Sequence, residues 1–204
     1  MLAGSQPLKT SAARLAGIAV VGITVLAFCP PSALAGEPTC FGRAPTILGD
    51  GGRERIEGTS GSDVIIGLGG RDIIFAGDGD DFVCGNDGSD VIDGGLGNDS
   101  MAGNHGRDFI TGVDGDDLIR GGFGGDVLNF GDEENGDDEV FGGAGNDDLH
   151  AGVGADRLFG NRGDDFLAEG EVDSPMIDLF SGGLGVDTCF AGAEDDLRGC
   201  EVTS

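Results

Sequence analysis

Residues 58–129 consist of eight consecutive nine-residue units with no change of phase. The units read GTSGSDVII, GLGGRDIIF, AGDGDDFVC, GNDGSDVID, GGLGNDSMA, GNHGRDFIT, GVDGDDLIR and GGFGGDVLN. Place six is Asp in every unit, and place eight is always apolar. A strict period of this length indicates a stacked-repeat architecture, in which each unit packs against its neighbours in the stack.

The same phase continues after two short insertions, at residues 130–132 and 169–172, so that the chain contains fifteen units. Gly occupies place four in all of them except the two units that carry Met176 and Glu194 there. The place-six residues are Asp63, Asp72, Asp81, Asp90, Asp99, Asp108, Asp117, Asp126, Asp138, Asp147, Asp156, Asp165, Asp178, Asp187 and Asp196.

These units follow the pattern G-G-x-G-x-D-x-U-x, and the chain closely resembles the RTX, or haemolysin-type calcium-binding, repeat family. The resemblance implies an all-β fold, a parallel β-roll. This is a right-handed coil of nonapeptide repeats with two short parallel sheets that face each other. It also implies that Ca²⁺ ions lie between the loops of successive coils on the same side, with the place-six Asp residues as metal ligands.

The residues within a unit fit this architecture. Gly at places one, two and four permits tight turning with positive φ, and Asn at place two tolerates the same conformation. The last three residues form a short strand that sends place eight inward and places seven and nine outward. The predicted core is Ile65, Val83, Met101 and Ile119 facing Ile74, Ile92, Ile110 and Leu128, continued by Val140, Leu149, Leu158, Leu167 and Phe180, and it fades at Cys189 and Arg198.

A core of one aliphatic side chain per unit is too thin to order nine residues, because ordering costs about 1.5 kcal/mol per residue while one buried side chain returns roughly 2 to 3 kcal/mol. The stacked carboxylates, about 5 Å apart between coils, would also repel one another. The metal-free chain is therefore expected to be largely unfolded. Calcium, which accepts six to eight oxygen ligands, answers both problems better than magnesium with its strict octahedral geometry.

Asp residues eighteen apart would share an ion, which predicts about nine sites. The pairs are Asp63/Asp81, Asp72/Asp90, Asp81/Asp99, Asp90/Asp108, Asp99/Asp117, Asp108/Asp126, Asp138/Asp156, Asp147/Asp165 and Asp178/Asp196. The spacing leaves open the pairs that span the insertions and any pair that uses the Met176 or Glu194 loop. The alternative role of Asp, turn formation alone, does not explain so large a charge held in one register.

The ends of the chain differ from the repeats. Residues 1–35 have the form of a secretory signal peptide, with Lys9 and Arg14 before an apolar run and an A-x-A site that predicts cleavage after Ala35. Residues 36–57 are interpreted as an N-terminal cap with a degenerate repeat, in which Glu54 stands where Asp is expected. The predicted β-roll covers residues 58–199, in segments 58–129, 133–168 and 173–199, and residues 200–204 form a tail.

Charge and motifs limit the function. Only Lys9 and Arg14 are cationic before Gly36, so cleavage lowers the net charge from −27 to −29. Such a surface repels nucleic acid and attracts cations. H-E-x-x-H, G-x-S-x-G and EF-hand loops do not occur, and the predicted mature chain has no Lys for a Walker A loop. These observations favour a secreted, non-catalytic extracellular calcium module over a hydrolase or toxin fragment.

Four cysteines follow the signal segment, and an even number in an exported chain indicates two disulfides. Cys189 with Cys200 is the first choice, because eleven residues separate them near the end of the array. Cys40 with Cys84 remains, and it requires the N-terminal segment to fold back, since two coils of continued stacking would separate these residues by roughly 10 Å.

One predicted outer face carries four large apolar side chains at place seven, which we call the apolar stripe: Ile73, Val91, Phe109 and Val127. A continuous stripe indicates a surface for a protein partner or for self-association, although a twist of the strands that partly buries these side chains would also explain it. An adhesin-like or surface-associated interaction protein is therefore the alternative function. An ice-binding surface is disfavoured, because Thr111 and Thr188 are the only Thr residues at the outward places.

Overall fold

A computed structural model describes residues 38–128, 136–168, 178–192 and 195–202. The predicted signal peptide and both insertions lie outside these ranges. Within them, every named element is a strand: β1 (Ile47–Leu48), β2 (Arg55–Glu57), β3 (Val64–Ile66), β4 (Gly69–Gly70), β5 (Ile73–Asp78), β6 (Phe82–Gly88), β7 (Val91–Leu96), β8 (Ser100–His105), β9 (Phe109–Asp114), β10 (Leu118–Phe123), β11 (Val127–Leu128), β12 (Glu139–Ala144), β13 (Asp148–His150), β14 (Arg157–Arg162), β15 (Phe166–Ala168), β16 (Leu179–Leu184), β17 (Thr188–Phe190), β18 (Asp196–Arg198) and β19 (Glu201–Val202).

The strands alternate between two parallel sheets. Sheet I has the order β1-β3-β6-β8-β10-β12-β14-β16-β18, with β4 pairing β6. Sheet II has the order β2-β5-β7-β9-β11-β13-β15-β17-β19. Consecutive units therefore contribute to opposite sheets, and each unit pairs with the units two before and two after it, as in Ile74↔Ile92 and Ile92↔Ile110. This is the predicted parallel β-roll.

The core is a continuous double file of place-eight side chains between the two sheets. All of the predicted core residues from Ile65 to Phe180 have no exposed surface. Register explains the file: Ile65↔Val83↔Met101↔Ile119↔Val140 runs along sheet I. At the N-terminal end, Ile47 pairs with Ile65 and Ile56 pairs with Ile74, which extends the file by one coil.

The C-terminal end corrects one expectation. Cys189 was predicted to lie where the core fades, but it is fully buried within the core cluster. In the last unit, Leu197 rather than Arg198 pairs with Phe180 and packs against the core. The step from Phe180 to Leu197 is one residue shorter than the regular eighteen, so the phase slips and Arg198 turns outward.

Both predicted disulfides are present. Cys189 and Cys200 close the C-terminal end, with Cα atoms 5.7 Å apart. Cys40 and Cys84 have Cα atoms 5.8 Å apart because residues 38–43, the N-terminal strap, fold back over the outer face of sheet I. Backbone hydrogen bonds of 3.0 and 2.9 Å between Cys40 and Arg43 hold the strap in a tight turn.

The outer faces of the two sheets differ. Under the strap, Ile66, Cys84 and Ala102 are buried. On sheet II the apolar stripe forms one register-matched row, Ile73↔Val91↔Phe109↔Val127, which ends at Asp148. Val91 and Phe109 are 40 and 41% exposed, and Ile73 and Val127 are half-buried.

Candidate metal centre

The place-six Asp residues lie inside the turns of the roll rather than on its surface. All of them except Asp196 are at most 8% exposed, as is unusual for a charged residue without a counter-ion. They form two rows, one in the turns that precede sheet I strands and the other in the turns that precede sheet II strands. The sequence placed all of them except Asp196 correctly in register, but it did not predict the depth of their burial.

One carboxylate oxygen of each Asp joins successive coils. The backbone N–H of an Asp donates to Oδ1 of the Asp in the next coil on the same side, at 2.7–3.0 Å, in twelve successive steps. Within regular coils the partners are eighteen residues apart, as in Asp81 to Asp99.

The insertions do not interrupt this ladder. Asp117 N–H donates to Asp138 across the first insertion, and Asp156 N–H donates to Asp178 across the second, at separations of 21 and 22 residues. The row that precedes sheet II strands also crosses both insertions: Asp126 N–H donates to Asp147, and Asp165 N–H donates to Asp187. The extra residues therefore leave the register of the ladder unchanged.

The second carboxylate oxygen has no hydrogen-bond partner among the described residues in eleven of these side chains. A buried carboxylate oxygen without a donor or a cation is costly, by several kcal/mol for an ion. The unpaired Oδ2 atoms belong to Asp72, Asp81, Asp90, Asp99, Asp108, Asp117, Asp126, Asp147, Asp156, Asp165 and Asp187.

Seven of the eleven unpaired oxygens lie beside a glycine at place one and a glycine carbonyl oxygen of the next coil. A Cβ added to Gly94 would lie 2.5 Å from Asp99 Oδ2 and 2.7 Å from the carbonyl oxygen of Gly112 in the next coil. The same arrangement recurs at Gly121, where a Cβ would lie 2.5 Å from Asp126 Oδ2 and 2.6 Å from the Gly142 oxygen. The absence of a side chain at place one thus leaves a space in which a carboxylate and a main-chain carbonyl converge.

Burial raises the pKa of the place-six carboxyl groups from Asp72 to Asp165 above its ordinary value. The hydrogen bond from the preceding coil opposes the rise, and neighbouring Asp charges add to it for most of these groups. The pKa of Asp117 rises to about 8, and the pKa of Asp99 and of Asp108 to about 7. The pKa values of Asp138 and Asp147 rise to about 7, and that of Asp156 to about 6. A cation would reverse this penalty, since it favours the ionised form.

The ends of the ladder use other side chains. At the N-terminal end, Thr46 Oγ1 donates to Asp63 Oδ1 at 2.9 Å, and Glu54 N–H donates to Asp72 Oδ1 at 2.8 Å. At the C-terminal end, Asp195 Oδ1 accepts the N–H of Asp178 at 3.1 Å. Asp196, the predicted partner of Asp178, is exposed and forms an ion pair with Arg198 at 2.6 Å. The phase slip of the last unit explains this exchange.

A second ladder at place five was not predicted. Here the later residue donates to the earlier one: Asn98 N–H to Asp80 Oδ1 and Asp137 N–H to Asp116 Oδ1, at 3.0 and 2.9 Å. The turns that precede sheet II strands contain the same bonds: Asp164 N–H donates to Asn146 Oδ1, and Val186 N–H donates to Asp164 Oδ1. The sequence does carry a signal for this ladder: Asp or Asn often stands at place five, directly before the place-six Asp. Both residue types have a side-chain oxygen that can accept a backbone N–H in a turn.

These features fit a calcium ion. Within the described ranges, His, Cys, Asp and Glu side chains form no group of three or more that could hold a metal, so an ion in these turns would take most of its ligands from main-chain carbonyls. Ca²⁺ prefers such a mixture of carboxylate and carbonyl oxygens, and it tolerates flexible geometry. When bound, the ion supplies positive charge to the buried carboxylates.

Fold and turns together define a calcium-binding β-roll. The family model for the RTX calcium-binding nonapeptide repeat, which spans four copies, matches residues 48–83, 85–119, 102–133, 134–167 and 177–197. The chain belongs to this repeat family, whose repeats bind Ca²⁺. No curated protein matches the chain. In the described part of the structure, no helix has the length and apolar character needed to span a membrane.

Proposed function

We propose that this protein is exported, folds into its β-roll when it binds Ca²⁺, and acts outside the cell as a non-catalytic structural or binding module. The observation that carries the proposal is the set of buried Oδ2 atoms without partners among the described residues, most of which lie beside a glycine carbonyl oxygen of the next coil. Without a cation, these oxygens oppose folding; with one, they join coil to coil. Calcium-dependent folding follows because the same atoms are hydrated in the unfolded chain.

The proposed ligands are the fourteen buried place-six Asp residues, from Asp63 to Asp187. Asp195 takes the position that the sequence assigns to Asp196. Because the ladder crosses both insertions, its twelve Asp–Asp steps raise the number of proposed sites above the nine expected from regular spacing.

Export is supported by the signal-like segment that ends at Ala35 and by the two disulfides, which persist in oxidising compartments. Millimolar calcium is available outside many cells, and modules that work there bind it with Kd values of roughly 10⁻⁴ to 10⁻³ M. The chain would then remain unfolded before export and order itself afterwards.

A second candidate, a surface-associated interaction protein, is favoured by the apolar stripe. Val91 and Phe109 stand exposed in the middle of the row, while the comparable row on sheet I is partly covered by the strap. The stripe is proposed as a face for a protein partner or a second copy of the chain.

The experiment that tests the proposed function is a calcium titration of the chelator-treated, disulfide-intact protein, followed by circular dichroism and calorimetry. We expect the β signal to rise cooperatively with Ca²⁺, magnesium to substitute poorly, and the stoichiometry to lie nearer twelve than nine. A full β signal and a sharp thermal transition in excess chelator would contradict the proposal.

A further inference from the structure

The N-terminal strap leaves a groove on the outer face of sheet I that calcium binding does not use. The groove has a volume of about 330 Å³, and it lies between Thr39 and Phe41 of the strap and the sheet residues Ala102 and Asn104. A second depression of about 400 Å³ continues it and shares Thr39 and Asn104 with it. These volumes suit a small organic ligand.

The groove wall contains side chains where the repeat normally has glycine. Leu68, Asn86 and Asn104 occupy place two on consecutive coils of sheet I, with φ values of 75°, 73° and 76°. This left-handed conformation disfavours most side chains, least so Asn. The next two coils carry Gly122 and Gly143 at the same place. The side chains are therefore present where the strap crosses the sheet and absent immediately beyond it.

One end of the groove is cationic. Arg120 lines it, and its guanidinium carbon lies 5.5 Å from the ring centroid of Phe41 and 5.9 Å from that of Phe141. None of the ion pairs among the described residues involves Arg120, although the chain carries 38 acidic residues. The rings orient the guanidinium while leaving its hydrogen-bond donors free for a planar anion.

The remaining lining of the 330 Å³ groove is apolar or neutral, and the adjoining depression also contains Asp87 and His105, whose side chains pair at 3.4 Å. Phe41 and Ala102 flank the path from Arg120 to Asn104, and Cys84 of the strap disulfide forms part of the floor. The amide nitrogen of Asn104 approaches the carbonyl oxygen of Ala102 at 3.3 Å, which commits that donor to its own strand. A groove with an apolar surface next to one positively charged side chain is complementary to an organic acid, which has an apolar part and one negative group.

We infer that this groove binds a small organic carboxylate, whose acid group pairs with Arg120 and whose apolar body lies against Phe41 and Ala102. The inference rests on the proposed calcium-dependent folding, since the roll must be formed before strap and sheet can enclose a ligand. It gives the binding module a ligand class of its own, separate from the calcium ions.

The test uses phenylacetate and its uncharged analogue phenylacetamide, titrated into the calcium-loaded, disulfide-intact protein and followed by ¹H–¹⁵N NMR. We expect saturable shifts at the amides of Phe41, Asn104 and Arg120. The affinity for phenylacetamide should be about 10-fold lower or more, because a charge-assisted hydrogen bond is lost. Equal affinities for acid and amide, or no saturable shifts, would overturn the inference.

Matched variants locate the site. Arg120→Gln should lower the phenylacetate affinity about 10-fold or more, whereas Arg157→Gln, on the same outer face but outside the groove lining, should leave it unchanged. Asn104→Gly removes a groove side chain at a backbone conformation that glycine accepts, and it should weaken binding. Asn161→Gly, at φ 74° and outside the lining, is its control. Equal effects of the two Arg variants would assign binding to general surface charge and refute the site.

Circular dichroism of each variant in calcium separates the two proposals. If the wild-type protein fails to form the roll with calcium, the proposed function fails before any ligand is added. If the roll forms but phenylacetate does not bind, only the groove assignment fails.

Discussion

The middle of the roll and its N-terminal end satisfy the same kind of carboxylate by different means. In the middle coils, Asp99, Asp108 and Asp117 each retain a buried oxygen with no donor among the described residues. At the N-terminal end, the protein supplies the partner, because Thr59 and Thr46 donate to Asp63. Beyond the ladder, exposed Asp196 pairs with Arg198. Asp63 and Asp196 therefore have partners within the protein, whereas the middle requires a cation from outside.

The same contrast appears in the pKa directions. Burial raises the pKa of Asp117 to about 8, because its charge is desolvated in the centre of the stack. For Asp63, burial also acts to raise the pKa, but hydrogen bonds from Thr59 and Thr46 outweigh it and the pKa is lowered. The hydrogen bond from Arg198 lowers the pKa of Asp196. The direction of the pKa shift thus distinguishes an Asp that has a hydrogen-bond partner in the protein from one whose second oxygen has none.

Replacement of a middle ligand should give the largest effect on stability. Asp117→Asn keeps an oxygen that can accept the Asp99 N–H but removes the charge that two successive calcium sites share. We expect a loss of about 3–5 kcal/mol in the free energy of unfolding in calcium, as when one partner of a buried charge pair is removed. Chemical denaturation at fixed calcium measures it.

Asp196→Asn is the matched control for that variant. Asp196 is exposed and pairs only with nearby Arg198, so the change should stay within about 0.5 kcal/mol. A similar loss for both variants would mean that the middle and the end do not differ in their need for a cation.

Core truncation comes next in size. Ile110→Ala removes a fully buried side chain from the file and should cost about 3 kcal/mol, because the neighbouring coils cannot close the cavity. Leu197→Ala, in the partly buried last unit, should cost about 1 kcal/mol. Thermal melts in saturating calcium compare the two, and equal costs would show that the last coil is packed as tightly as the middle.

pH should affect the metal-free protein in the opposite direction from ordinary acid denaturation. Six middle Asp residues have folded pKa values of about 6 to 8, above the ordinary Asp value of 3.8. Since the folded state retains these protons, their contribution to stability is fully present below about pH 4 and is lost as pH rises through 6 to 8. In chelator, the β signal should therefore increase when the pH is lowered from 8 to 5.

Calcium reverses this dependence. Protons and Ca²⁺ compete for the same oxygens, so the apparent calcium affinity should fall as the pH drops below about 7. Circular dichroism titrations at three pH values test both statements. A metal-free melting temperature that decreases on acidification would contradict the assignment of raised pKa values to the middle coils.

The smallest effect on stability is expected on the apolar stripe. Phe109→Asp changes an exposed outer side chain and should alter the free energy of unfolding by about 0.5 kcal/mol or less. If the stripe is an association face, light scattering should show a lower mass for this variant than for the wild type. Phe123→Asp, at the exposed C-terminal end of β10 in sheet I, is the control. The same mass for the wild type and both variants would remove self-association from the proposal.

The sequence predicted the repetitive parts of the molecule well, because a strict nine-residue period fixes both the core file and the Asp register. It required the strap to fold back to reach Cys84, as the structure shows. It failed where the period changes by one residue. Two adjacent Asp residues, Asp195 and Asp196, allow either phase, and only the packing of Leu197 against the core selects between them.

Two other features of the structure could not be predicted from the nine-residue pattern. The continuity of the ladder across the insertions depends on how the ends of each turn meet, as in Asp117 with Asp138, and spacing alone left it open. Burial of Ile66 and Ala102 at the outward place nine depends on the strap, whose six residues carry no repeat. Such contacts join segments distant in sequence, which no local period encodes.

The direction of the Asp ladder has a consequence for assembly. In each of its steps the donor belongs to the earlier coil and the acceptor to the later one, as in Asp81 to Asp99. In a partly formed roll, the backbone N–H of the last formed place-six Asp would therefore lack its acceptor, which belongs to the following coil. If the chain forms its roll from the amino end, each coil completes these hydrogen bonds only when the next coil has formed. In the row that contains Asp178, the last N–H donates to Asp195.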